Sequence, residues 1–167
     1  MSYHGGLIGG ISFTLYYLKK HKINPWMISN LFFVGIPLGY TWGRIGNFLN
    51  GELWGRQTSS WVGMVFPGDK EKLLRHPSQL YEALLEGVGL FGVLLFLRRY
   101  EAFKNHMAAF YLVGYGLARF IVEYFRQPDA HIGLYPLGLS MGQILCAFMI
   151  IIGAILYIYK RKQELSK

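Results

Sequence analysis

The sequence predicts an all-α protein, a polytopic membrane helix bundle of about five transmembrane helices with an extracytoplasmic segment between the second and third. Three observations predict it. Hydrophobic residues make up 53% of the chain and charged residues 16%, whereas an average soluble domain is about 25% charged. Apolar runs close to the length of a bilayer span recur along the chain. The basic residues sit mostly in short clusters between those runs, which is the pattern of cytoplasmic membrane loops and argues against nucleic-acid binding despite a net charge of +8. Aromatic residues, at 17%, suit belts at the two membrane interfaces.

The runs cover about residues 4–18, 26–48, 80–97, 107–125 and 139–159 of one membrane domain comprising residues 1–167, with 51–79 as the extracytoplasmic segment. The first run is shorter than the roughly 20 residues a span needs. It begins almost at the amino terminus and reads as a helix whose preceding chain is missing. No cleavable signal peptide is expected, because Met1–Gly10 has no basic start before its apolar run. Glycines punctuate most runs (Gly5, Gly6, Gly9 and Gly10; Gly87, Gly89 and Gly92). Small residues let helices approach closely in lipid, although glycine is also simply frequent in membrane helices. Within 51–79, Pro67-Gly68-Asp69 reads as a turn. The single cysteine, Cys146, excludes an intrachain disulfide, and no metal or cofactor is expected.

Orientation follows from the flanks. Lys19, Lys20 and Lys22, then Arg98, Arg99 and Lys104, then Lys160, Arg161, Lys162 and Lys167 fall on one side and hold ten of the 17 basic residues. The other side holds Arg56, Lys70, Lys72, Arg75 and Arg126. The positive-inside rule puts the carboxyl terminus in the cytoplasm.

Two arginines remain, Arg44 and Arg119, both inside predicted helices. A charge there costs about 2.5–3.5 kcal/mol on insertion scales and marks a functional site by default. With the predicted directions, Arg44, Arg119 and Glu123 approach the outer face, where His4 and Glu82 also begin their helices and where Glu52, Arg56, His76 and Gln79 lie. Arg119, Glu123 and Arg126 are spaced i, i+4 and i+7 on one helix face, and Arg44 and Asn47 are i and i+3 on another. The bland alternatives are a self-satisfied Arg119–Glu123 pair, an Arg44 that snorkels to the interface, and a His4 that merely starts a helix.

Two guanidinium groups at one depth suit a phosphate, which they bind bidentately. At that depth the phosphate belongs to a phospholipid head group. Glu123 and Glu52 are placed to orient the arginines, and a histidine at the same level serves as a general base near neutral pH. The residues therefore point to a phospholipid-handling membrane enzyme.

The stretch Gly43–Arg56, GRIGNFLNGELWGR, closely resembles the signature of bacterial prolipoprotein diacylglyceryl transferases. The resemblance continues through HGGLIG at 4–9, HPSQLYE at 76–82 and RFIVE at 119–123, in family order over nearly the whole chain. It implies transfer of a diacylglyceryl group from phosphatidylglycerol to the lipobox cysteine thiol of a prelipoprotein, with release of glycerol phosphate, in the bacterial inner membrane. It also implies that Arg44 binds phosphatidylglycerol, and that Asn47, Glu52 and Gly55 are further functional positions of the signature. His4 matches the catalytic base, and Arg119 and Glu123 match a second functional pair. Family members carry further helices before the His-Gly-Gly motif, including a functional tyrosine for which Tyr3 is no substitute. The rival readings are an inactive fragment of that enzyme, a transporter or channel subunit, and a membrane scaffold. A transport pathway needs polar groups at several depths, and a scaffold leaves the buried charges unexplained.

Overall fold

The computed structural model describes the backbone of residues 3–127 and 139–166, and the side chains within those ranges except 3–7, 26 and 27. Five helices account for most of it: α1 (Tyr3–Lys20), α2 (Pro25–Leu49), α3 (Ser78–Arg98), α4 (Met107–Val122) and α5 (Met141–Leu165). Among the described residues extended pairing is limited to isolated bridges, Gly55 with Arg126 and Arg75 with Gln57 and Met64. The all-helical class read from the sequence holds. Two helices, α3 and α5, are long and apolar enough to cross a bilayer, and α4 is apolar but shorter.

Local chemistry sets the helix boundaries. Helix α1 ends in Lys19 and Lys20, cations that suit the negative end of its dipole. Pro25 opens α2, where its missing N–H has no helical partner to lose. Pro37 lies inside the same helix, and the buried Thr41 hydroxyl donates to its carbonyl at 2.9 Å. Ser140 caps α5 through a capping box with Gln143. The apolar run that ends at Phe125 leaves helical form at Val122, because the Phe125 carbonyl accepts the Arg56 N–H at 2.8 Å.

Helix α3 is not uniform: Ala83–Gly89 forms a π-helical turn, a feature that is rare and frequent at functional sites. Its Gly87 sits directly against α2, where an added Cβ would lie 2.2 Å from the Thr41 hydroxyl. Helices α4 and α5 are equally close: a Cβ on Gly153 would stand 2.9 Å from the Ala109 carbonyl, and one on Gly116 3.0 Å from that of Cys146. Small residues thus bring backbones together where lipid supplies no hydrophobic drive between helices. Val34, Leu90, Leu94 and Met107 form the buried apolar centre between α2, α3 and α4, ringed by Phe91, Phe110, Tyr111 and Tyr115. Large apolar side chains cover the outside instead of polar ones, among them Ile11, Phe13 and Leu15 on α1 and Ile151, Ile155 and Ile158 on α5.

Residues 50–77 form a lobe between α2 and α3. It is closed on itself by the Gly55 N–H on the His76 carbonyl and the His76 N–H on the Arg56 carbonyl, and it is stitched to the end of α4 by the Arg56 N–H on the Phe125 carbonyl and the Arg56 Nε on the Arg126 carbonyl, each at 2.8 Å. Arg75 organises its interior, donating to Asp69, to Glu71 at 2.6 Å and to Gln127 at 2.9 Å. The expected turn at Pro67-Gly68-Asp69 is present, closed by the Asp69 N–H on the Phe66 carbonyl.

The Arg75 hydrogen bond, helped by the Glu71 and Leu73 amides, holds the Asp69 carboxyl below its usual range. A carboxyl depressed by folding stabilises above its unfolded value, and that stability is lost as pH falls through the folded value. The lobe should therefore loosen in acid, below about pH 4. Amide exchange at Met64, Leu73 and Arg75 measured against pH checks this, and Asp69→Asn should be looser at neutral pH and lose the acid transition. An exchange profile flat with pH in the parent protein refutes it.

Candidate active site

The face of α2 turned toward α3 carries Tyr40, Thr41 and Arg44. Tyr40 and Arg44 are one turn apart, and the guanidinium lies 4.7 Å from the ring centroid, a stacking that Arg favours over Lys. The close Thr41–Gly87 contact fixes this face against the π turn. Glu82 and Glu86 project from α3 at its start and within the turn, and both are fully buried. Arg119 comes from the last turn of α4 and Glu123 from just beyond it.

Three donors converge on one atom. Arg44 Nε lies 2.9 Å from Glu82 Oε2, Arg119 Nη1 lies 3.0 Å from it, and the Tyr40 hydroxyl donates to it at 2.9 Å. Arg119 also reaches Glu86 Oε1 at 3.5 Å and, through Nη2, Glu123 Oε2 at 3.2 Å. Glu123 in turn accepts the Ser140 hydroxyl at 3.1 Å, and Gly142 packs on its carboxylate so closely that a Cβ would lie 2.9 Å from Cδ. Two guanidiniums and three carboxylates from three helices thus form one buried network among the described residues.

This arrangement fixes the direction of both cations. Arg44 does not snorkel outward: it turns in to Glu82, and its Nη1 donates to Asn47 Oδ1 at 3.4 Å. Nor is Arg119 satisfied by Glu123 alone, since it touches three carboxylates. Chemically, two guanidiniums aimed at one oxygen describe an anion site.

A family model for prolipoprotein diacylglyceryl transferase matches residues 1–159. The chain belongs to that family. Relatives named phosphatidylglycerol–prolipoprotein diacylglyceryl transferase include that of Chlorobaculum tepidum, 45% identical over 98% of this chain and 56% of its own length. Those of Campylobacter curvus and Idiomarina loihiensis are 49% and 48% identical, over 99% and 98% of this chain and 60% and 61% of their own lengths. The chain therefore spans about 56–61% of these relatives.

Of the residues matched to prolipoprotein diacylglyceryl transferase motifs, the structure brings together Arg44, Asn47, Arg119 and Glu123, with Glu82 between the two arginines. Glu52 stands apart: its side chain is exposed and pairs with neither arginine, while its backbone carbonyl accepts the Gln79 amide. The orientation of Arg44 expected from Glu52 is supplied by Glu82 instead, because the chain turns away from α2 at Gly51 and carries Glu52 outward. Gly55 lies in the lobe at its stitch to α4, where a Cβ would fall 2.3 Å from the Phe125 carbonyl. Only glycine permits that approach. His76 also lies in the lobe, against Tyr81 and Phe125. The His4 side chain lies outside the described residues.

Sequence reasoning missed Glu86 and Tyr40, and it noted Glu82 for its depth and its place in the HPSQLYE motif without giving it a role. The signal was present. Glu82 and Glu86 are two carboxylates at i, i+4 inside an apolar helix, as costly there as the arginines that were singled out. Tyr40 stands at i−4 from Arg44 and shares its face.

Proposed function

We propose that this chain carries the phosphatidylglycerol site of a prolipoprotein diacylglyceryl transferase, and that it moves the diacylglyceryl group to the lipobox cysteine thiol of a prelipoprotein signal peptide. The observation that carries this reading is the convergence of Arg44 and Arg119 on one carboxylate oxygen, at 2.9 and 3.0 Å. The family membership and the relatives' names support it. The lipid phosphodiester displaces Glu82 from the two guanidiniums, with Asn47 holding the Arg44 fork. A base, for which His4 stands at the start of α1, takes the thiol proton, since the thiolate is the nucleophile. The sulfur attacks the diacylglyceryl carbon, the new C–S bond forms, and the C–O bond to phosphate breaks. Glycerol phosphate leaves with the bond electrons, and the arginines stabilise the charge that grows on its oxygen. Glu123 keeps Arg119 aimed. In this reading Gly55 acts by closing the lobe over the site, and Glu52 is left for contact with the peptide partner. No cofactor or metal enters the reaction.

The chain, reconstituted in bilayers containing phosphatidylglycerol, should release glycerol phosphate on addition of a lipobox peptide. A peptide with serine in place of the lipobox cysteine should give none. Glycerol phosphate release that ignores the thiol would overturn the transferase reading.

We also infer a single membrane domain of about five spans in the bacterial inner membrane. The carboxyl terminus is cytoplasmic and the 51–79 lobe lies outside, in line with the ten-to-five asymmetry of flanking basic residues. A cysteine at position 70 should be labelled by an impermeant reagent in intact spheroplasts, and one at position 162 only after permeabilisation. The reverse pattern would invert the topology and with it the leaflet from which the lipid is drawn.

A further inference from the structure

The buried network does not balance its charge. With all groups ionised, Arg44 and Arg119 face Glu82, Glu86 and Glu123, and one negative charge is uncompensated among the described residues. A phosphodiester entering between the arginines adds another. Uncompensated charge in a low-dielectric site is expensive, and a carboxylate relieves it most cheaply by taking a proton.

The geometry singles out which one. Glu82 Oε2 accepts the Tyr40 hydroxyl besides the two arginines, a donor it keeps when a phosphate takes them, and Glu123 has Arg119 and the Ser140 hydroxyl. Glu86 is fully buried, and neither of its oxygens has a hydrogen-bond partner. Its nearest cation is Arg119 at 3.5 Å. The groups facing it are Tyr40 and Arg44 from α2, Glu82 from the same helix, Tyr111, Tyr115 and Arg119 from α4, and Cys146 from α5. The one neutral donor among them, the Tyr40 hydroxyl, is shared with Glu82, to which it donates at 2.9 Å.

We propose that Glu86 holds the proton that makes room for the anionic head group: the lipid phosphate binds the arginines with Glu86 protonated, so binding is coupled to one proton drawn from solvent. The π turn holds this acid 3.5 Å from Arg119, and its neutral form leaves that guanidinium free to turn from carboxylate to phosphate. The inference rests on the proposed phosphate site. It makes Glu86 a positioning residue that acts through Arg119.

The test is binding of short-chain phosphatidylglycerol to the detergent-solubilised chain, followed by calorimetry across the whole pH range in which the chain stays folded, in buffers of different ionisation enthalpy. In the parent protein, affinity should fall about tenfold per pH unit above the Glu86 titration point, with about one proton taken up per lipid there. Glu86→Gln, a permanent mimic of the protonated acid, should bind independently of pH at the parent's low-pH affinity and take up none. Glu86→Asp should restore the pH dependence. An infrared difference spectrum of the parent chain on lipid addition gives a readout without any variant: a protonated-carboxyl band should appear and shift with isotope-labelled glutamate. Binding that needs Arg44 yet is flat with pH and releases or absorbs no proton overturns the proton coupling alone. A Glu86→Gln chain that follows the parent's pH curve does the same. Binding unaffected by Arg44→Leu overturns the phosphate site, and this inference with it.

Discussion

Replacing Arg44 with lysine should reduce kcat/KM for glycerol phosphate release by about 100- to 1000-fold, the size of effect seen when one preorganised donor to a developing oxyanion is lost. Positive charge alone does not do what Arg44 does. Its Nε serves Glu82 while its Nη1 serves Asn47, and its plane stacks on Tyr40 at 4.7 Å. An ammonium keeps the charge but has neither the planar fork nor the flat face. The fold should survive, because the lysine still offers Glu82 a cation. The measurement is steady-state glycerol phosphate release with the thermal midpoint read alongside. A lysine variant with the parent's turnover would mean that the second arginine, or another group, holds the phosphate.

The second large effect is expected at Glu82. Glu82→Leu leaves Arg44 with no carboxylate, while Arg119 retains Glu86 and Glu123. Breaking a buried pair by removing one partner strands the other charge. The loss should be about 3 kcal/mol, the lower end of that range, because the Arg44 side chain keeps 19% of its exposure. Activity should fall with it, since Glu82 is the carboxylate that aims both guanidiniums in the absence of lipid. An added anion separates the two effects. Inorganic phosphate should raise the thermal midpoint of the Leu variant more than that of the parent, because the vacated position accepts it. If phosphate raises both equally, the arginines do not converge on an anion site, and the reading of Glu82 as a stand-in for phosphate fails.

Composition and pattern determined the class of this protein by themselves. Long apolar runs with few charges have no stable solution except helices buried in one another or in lipid. The cost of a charge in such a run marked Arg44, Arg119 and Glu123 without any knowledge of their neighbours. The GRIGNFLNGELWGR stretch carried the family. The i, i+4 spacing of Arg119 and Glu123 was legible as well, and they do pair.

What only the tertiary structure decided is which carboxylate answers which arginine. Helical spacing specifies neighbours within one helix. The carboxylate on Arg44 and two of the three on Arg119 come from a different one, set by the close Thr41–Gly87 approach and by a π turn with no sequence signature of its own. Glu52 shows the converse. It follows the signature arginine by eight positions, but a left-handed residue at Gly51 redirects the chain and takes it away. Gly55, too, is explained only by a carbonyl 70 positions later in the chain, that of Phe125, which leaves no room for a Cβ.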